Sequence, residues 1–250
     1  MRGDTGCPVR LRFAKRGPVR FISHRDVARA FERAFRIAEL PLAFSAGFSP
    51  HPKVSFGPAL AVGYESDAEY LDLVLTHEVD LPLLASAVTA GLPDGIAVSG
   101  YAALSDRAPS LQEGITALTY RVTLDGVLPA AIGAAVANFL DRPEVRVTVT
   151  RKGEQRIDDI RPLVLGVIQP EPGERVVFLD VATRPRTPRV ADVVAGLRTI
   201  STDDSPLEER HVLRTHQWIE RGGARYEPLD VDRRSAAPHG AGARALEACA

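Results

Sequence analysis

The sequence predicts an α+β fold built from two tandem β-α-β-β-α-β halves, on three observations. Short β-branched and aromatic runs alternate with amphipathic helical stretches, in a similar order twice over. A polar stretch with a proline, residues 105–114, separates the two series. From Glu227 the chain turns to Ala, Gly, Arg and Pro, a composition that buries no core. The expected units are therefore 8–104, 115–220 and a disordered tail over 227–250.

Residues 9–13 alternate and read as a strand. Ser23 then opens a helix: it is a good N-cap, and Asp26 stands three residues on, near a capping-box arrangement. Val27, Ala30, Phe31, Ala34, Phe35 and Ala38 follow at offsets of 0, 3, 4, 7, 8 and 11, one apolar stripe, and Pro41 ends the helix. Residues 42–44 and 54–56 read as short strands around a Gly/Pro-rich loop, and 70–75 as another strand. Residues 81–90 form a second amphipathic helix, stopped by Gly91 and Pro93, and 96–103 is the closing strand. That order is the ferredoxin-like pattern. It recurs as a strand at 118–124, a helix at 130–140, a strand at 145–150, a hairpin of 163–168 and 176–181 about Pro170, Pro172 and Gly173, a helix at 190–197 and a strand at 212–218. The second ferredoxin-like half thus carries one extra segment.

Of the 250 residues, 45% are hydrophobic and 25% charged, an ordinary globular balance. No apolar run approaches the roughly 20 residues that span a membrane, and residues 1–8 lack a signal-peptide core, so a cytoplasmic location is expected. Cys7 and Cys249 lie near opposite ends, which argues against a disulfide framework or a zinc site. Lysine occurs only at 15, 53 and 152, an arginine bias that a GC-rich genome explains. The net charge of −1 conceals an asymmetry: residues 1–60 hold eleven Lys/Arg and four Asp/Glu (+7), and 61–113 hold one Arg and nine Asp/Glu (−8). Such a basic part can face a polyanion, or pair with the acidic part of its own chain.

Several groups of residues could carry chemistry. Arg25, Arg29, Arg33 and Arg36 share the helix face opposite the apolar stripe, with Glu32 among them and Lys15, Arg16 and Arg20 nearby. This is a solvated face or a phosphate-contacting stripe, since the planar fork of arginine takes two phosphate oxygens at once. His24 stands at the helix start, where free N–H groups favour anions. In the run Ser45-Ala46-Gly47-Phe48-Ser49-Pro50-His51-Pro52-Lys53, the prolines hold Ser49 and His51 extended, which makes a stiff loop that displays His and Lys. Gly57 to Ser66 suggests a tight bend, and Glu65 and Glu69 could meet a partner's cations. Residues 151–162 read as a charged hairpin tip or a contact to RNA or protein. There is no Gly-rich phosphate loop of Walker or dinucleotide type and no nucleophile elbow, and the histidines lack metal-ligand spacing, so no cofactor or metal is expected.

Ser23-His24-x-Asp26 with Arg29 and Arg33, then Ser45-x-Gly47-Phe48-Ser49-Pro50-His51-Pro52-Lys53, Pro58-x-Leu60-x-x-Gly63 and Ser66-x-x-Glu69-Tyr70, resemble the radical-SAM-associated (radical SAM-linked) domain family. The resemblance covers roughly residues 8–220 and is most specific over 20–72; where the family often has Asn, this chain has Ser49. It implies partnership with a radical SAM enzyme rather than a reaction, and the chain itself lacks the three-cysteine cluster motif of such an enzyme.

The leading expectation is an accessory protein that binds RNA, tRNA or rRNA, for modification or processing. Arg20, Arg25, Arg29, Arg33, Ser49 and Lys53 would meet phosphates, and Phe48 could stack on a base or sit in the core. Nothing points to DNA or to a membrane. One rival is a metal-independent enzyme with His24 and His51 as acid and base, provided the rings share a cleft. The other is a protein-interaction module that docks its partner through the acidic residues 61–80, Glu65, Asp67 and Glu69 among them.

Overall fold

The computed structural model describes residues 6–105, 108–151, 153–201 and 206–231, which form a mixed α+β protein. The first series comprises β1 (Cys7–Lys15), α1 (His24–Ile37), β2 (Val54–Phe56), β3 (Glu65–Leu75), α2 (Leu81–Gly91) and β4 (Ile96–Ala103). β1 pairs antiparallel with both β3 and β4, and β2 lies antiparallel on β3. Val9, Leu11 and Phe13 alternate onto the face where Val27, Phe31, Ala34 and Phe35 of α1 pack, joined by Leu71, Leu73 and Leu75 of β3 and by Leu84 and Val88 of α2. Gly91 allows the two helices to close up: a Cβ there would stand 3.0 Å from the Cα of Ala34.

After a one-turn helix α3 (Leu111–Gly114), the second series runs β5 (Ala117–Asp125), α4 (Pro129–Asp141), β6 (Arg146–Arg151), β7 (Glu154–Asp159), β8 (Val164–Ile168), β9 (Val176–Ala182), α5 (Val190–Ile200), β10 (Glu208–Arg221) and β11 (Ala224–Tyr226). Its strands do not form a separate sheet. β10 runs parallel to β3 at Leu213↔Glu65 and Arg214↔Ser66, which gives one nine-stranded sheet in the order β4-β1-β3-β10-β5-β9-β8, with β2 on β3 and β11 on β10.

Several boundaries differ from those expected. α1 stops at Ile37 rather than at Pro41, because Glu39 takes a positive φ of 50° that no helix continues. Residues 42–44 make only isolated bridges, Leu42 to Leu75 and Phe44 to Pro52. β3 begins at Glu65, five residues earlier than expected. The strand expected at 145–150 leaves the main sheet and pairs with β7 in a separate hairpin. Val145, Val147 and Val149 still bury. Gly196 of α5 makes room, since a Cβ there would press on Ile160, Phe139 and Val145 at 2.9–3.1 Å. The strand expected to close the sheet, β10, lies in its middle.

Residues 227–231, expected to belong to the tail, pack against the fold. The carbonyl of Pro228 accepts from Arg10 at 3.1 Å, and Val231 is buried; residues 232–250 lie outside the described residues. Among the described residues no helix is long and apolar enough to cross a membrane.

Candidate functional site

α1 begins where its sequence directs. The Ser23 hydroxyl accepts from the Asp26 N–H at 3.3 Å, and the Asp26 carboxylate accepts from the Ser23 N–H at 3.2 Å and from the Ser23 hydroxyl at 2.6 Å. The Ser23 hydroxyl and N–H hold the Asp26 carboxyl below its ordinary pKa. The start of the helix therefore already carries its own carboxylate, which competes with any outside anion for the terminal N–H groups.

One helical face away, Arg25, Arg29, Arg33 and Arg36 are all exposed. Among the described residues, only Arg29 of the four has an ion-pair partner, Asp26 at 3.5 Å. The other cations of the basic region differ. Arg10 is fully buried and grips Asp72 through two hydrogen bonds of 2.7 and 2.8 Å. Arg12 pairs with Glu227, Arg16 with Asp67 and Glu65, and Arg20 with Glu65 at 3.5 Å while lying over the Phe21 ring. Much of the +7 and −8 asymmetry is thus neutralised within the chain across the β1–β3 pairing, and among the described residues of the basic region the α1 stripe is what remains as exposed arginine.

Glu65 is the centre of one neutralised cluster. It accepts from the Gly17 N–H at 2.7 Å and from Arg16 at 3.4 Å, and it also meets the His211 ring at 2.9 Å and Arg20 at 3.5 Å. Burial pushes its pKa up, but the Gly17 N–H, His211 and Arg16 outweigh that and hold it below the ordinary 4.5. A depressed carboxyl contributes stability that is present above its unfolded pKa and is lost as pH falls through its folded value. In urea titrations, Glu65→Gln is expected to be less stable than the native chain at pH 7, with the gap closing below about pH 4.5. A constant gap from pH 7 to pH 3 would assign the loss to packing instead.

The run from Ser45 to Lys53 folds back on itself. The Ser45 N–H donates to the His51 carbonyl at 2.9 Å, the His51 N–H to the Ser45 hydroxyl at 3.1 Å, and the Lys53 N–H to the Ala43 carbonyl at 2.8 Å. Gly47 adopts a φ of 131°, open to glycine, and Phe48 next to it is fully exposed. Phe48 is therefore no core residue. Ser49, Pro50, His51 and Lys53 are exposed with it, and Pro52 is half-buried.

His24 takes a different place. Its ring meets Phe56 edge-on at 5.3 Å, and it borders a small, partly open pocket with Lys15, Glu69, Tyr70 and Phe13. His51 does not border that pocket; it lies five residues before Phe56 on the neighbouring loop.

Behind the pocket lies a buried polar network that the sequence motifs did not announce. Arg214 of β10, 1% exposed, donates to Glu69 at 2.9 Å, to the carbonyls of Pro58 and Ala59 at 2.8 and 3.0 Å, and to the Tyr120 hydroxyl at 3.2 Å. Burial works against its charge, and Glu69 and Tyr120 outweigh that, raising its pKa. Lys15 donates to the carbonyls of Arg20 and Ile22, and burial draws its pKa down against the pull of Glu69. Gly63, with a φ of 91°, hands its N–H to the Arg20 carbonyl. Burial raises the Tyr70 hydroxyl, which donates to Glu227 at 3.4 Å. The conspicuous residues Pro58, Gly63, Glu69 and Tyr70 thus lock a bend in place. Glu65, Asp67 and Glu69 all pair within the chain rather than standing free for a partner. In the stretch 151–162, Arg156 pairs with Glu154 at 2.8 Å, Asp158 with Arg186 at 3.0 Å, and Arg161 donates to the carbonyls of Val164 and Leu140. Among the described residues, no group of three or more His, Cys, Asp or Glu could hold a metal ion.

No curated protein matches the chain. The solved structure of a Cbf5-Nop10-Gar1 complex is similar over 86% of this chain and 49% of that one, at 11% identity and a TM-score of 0.44. This chain spans about half the length of the chain it matches, and the likeness is too distant to carry an argument. Residues 9–190 match a family model described as "Uncharacterized protein conserved in bacteria (DUF2344)", and the chain belongs to that family.

Proposed function

We propose that this protein binds RNA as an accessory to another enzyme, with the outer face of α1 as its phosphate-contacting surface. One observation carries the reading: the first half neutralises Arg10, Arg12, Arg16 and Arg20 with carboxylates of the chain, and leaves Arg25, Arg29, Arg33 and Arg36 in a row facing solvent. A row of guanidinium groups along one helix suits a backbone of regularly spaced phosphates. Lys53 and Phe48 stand exposed on the loop beside β2, against which α1 packs through Phe31 and Phe56. They supply a further cation and a ring that could stack on a base. We read each half as a ferredoxin-like unit: the strand orders β4-β1-β3-β2 and β10-β5-β9-β8 support this. The radical SAM enzyme as the partner served rests on the motif resemblance over residues 20–72.

The test is binding of tRNA across a salt series, by the native chain and by Arg25→Ala/Arg29→Ala/Arg33→Ala. Removing one phosphate-binding arginine should flatten the plot of log affinity against log salt by about one unit. The triple variant is expected to bind with a slope roughly two to three units shallower on that count, with its urea midpoint unchanged because all three side chains are exposed. Equal slopes, or no binding by the native chain, would sink the proposal.

A further inference from the structure

The two stretches of the sheet differ on the face away from the helices. In the first, that face is covered: Arg10 is capped by the carbonyls of Pro109 and Pro228, and Leu229 reaches Gly100, where an added Cβ would stand 2.7 Å from it. In the second, the corresponding face of β8, β9, β5 and β10 is open and forms a cleft of about 260 Å³. Its floor follows from strand pairing, which sets opposite residues on one face. Gly166, Asp180, Thr119 and His216 form one row, and Ile168 and Phe178 the next; Arg121 pairs opposite Phe178, beside the lining rather than in it. No atom lies within 4 Å of where a Gly166 Cβ would stand, so the cleft is unobstructed there.

Aromatic rings line it. The His216 ring lies flat against Trp218, 4.8 Å between centroids and 7° between planes. Phe178 is half-buried, and Ile168 is 64% exposed, a large apolar side chain left to solvent. The polar edge of Trp218 is tied down: its indole N–H donates to the Thr119 hydroxyl at 2.7 Å, which donates to Asp180 at 2.5 Å, and Asp180 also accepts from Arg225 at 2.9 Å. This chain of hydrogen bonds fixes the ring plane, with one ring face stacked on His216. Arg121, opposite Phe178, has no carboxylate partner among the described residues.

We infer that this cleft is a stacking site for a nucleobase of single-stranded RNA, with Arg121 meeting the adjoining phosphate. The inference rests on the RNA-binding reading above and places a second contact surface in the other half of the chain. Ordered rings beside an unpaired guanidinium fit a planar base on a charged backbone better than they fit an aliphatic partner.

Trp218 is the only tryptophan of the chain, so its emission reports this cleft alone. The probe is a uridine hexamer, titrated while Trp218 emission and the anisotropy of a labelled copy are both followed. Saturable quenching that tracks the anisotropy is expected, together with binding roughly five- to a hundredfold weaker in Phe178→Ala. Phe178→Tyr, which keeps the ring, should restore it. Urea midpoints of both variants check that the fold survives. A hexamer of abasic sugar-phosphate should bind without quenching. If the uridine hexamer binds but Trp218 emission is unmoved and Phe178→Ala binds equally, the stacking site is wrong while the RNA-binding reading stands. If the abasic hexamer quenches as well, the site reads backbone rather than base and the inference fails. If no RNA binds at all, both fall.

Discussion

Arg214→Met is expected to cost about 3–5 kcal/mol of folding stability, the usual effect of removing one member of a buried ion pair. Arg214 is 1% exposed, and its loss strands Glu69, itself 8% exposed, beside Tyr120 and the freed carbonyls of Pro58 and Ala59. The cost comes from these abandoned partners more than from any net worth of the pair. The double variant Arg214→Met/Glu69→Leu should therefore recover part of the loss. Equilibrium urea unfolding of the two single variants and the double closes the cycle. If the double variant is as unstable as the sum of the singles, the two groups are not coupled and the network is misassigned. Arg214 also ties the halves together, since it belongs to the strand that meets β3 and it clamps a bend of the first half. Its loss should therefore destabilise both core clusters at once, and circular dichroism and Trp218 emission should report a single transition.

That residue shows what could not be read in advance. The six apolar positions from Val27 to Ala38 and the Ser23–Asp26 cap are local signals, separated by three or four residues, and α1 forms as they direct. So is the alternation of Val9, Leu11 and Phe13. Arg214 and Glu69 are 145 residues apart, and neither carries any local sign that it will be buried. Lys15 falls on the inward side of the same alternation as Phe13, a hint that it would bury, and Arg10 faces the other way and is buried only because Pro109 and Pro228 fold over it. The position of β10 was hidden for the same reason: its pairing with β3 joins two series that each look complete alone. Within the candidate site, the exposed α1 stripe was legible from periodicity. The neutralisation of Arg16 and Arg20 by Glu65 and Asp67 was legible only as an imbalance of charge. The ring-lined face of the second half has one sequence signal, Phe178 set out of phase between Val177 and Leu179, and it reads as core until the pairing is known.

Phe31→Ala is expected to be comparably damaging, at about 3–5 kcal/mol, the range for removing a buried aromatic ring. Phe31 has no exposed surface and sits where α1 meets the sheet, with the rings of Phe13, Phe35 and Phe56 at 4.7, 5.7 and 5.9 Å. The cavity left cannot collapse easily, because Ala34 is already pressed by Gly91 of α2. At roughly 2–4 °C per kcal/mol for a protein of this size, the melting temperature should fall on the order of 10 °C, and Phe31→Leu should fall by less. Its functional signature should be the opposite of the arginine triple variant. The Arg25, Arg29 and Arg33 side chains are exposed, so their removal should change RNA affinity and salt slope while the melting temperature holds. Phe31 touches none of the proposed phosphate surface, so at temperatures where the variant is still folded its salt slope should equal that of the native chain. A Phe31→Ala protein that melts within a degree or two of the native chain would mean that α1 is not held by this aromatic cluster. A folded variant with a flattened salt slope would mean that seating α1 and binding RNA are coupled, and that the arginine row acts only when the helix is rigidly placed.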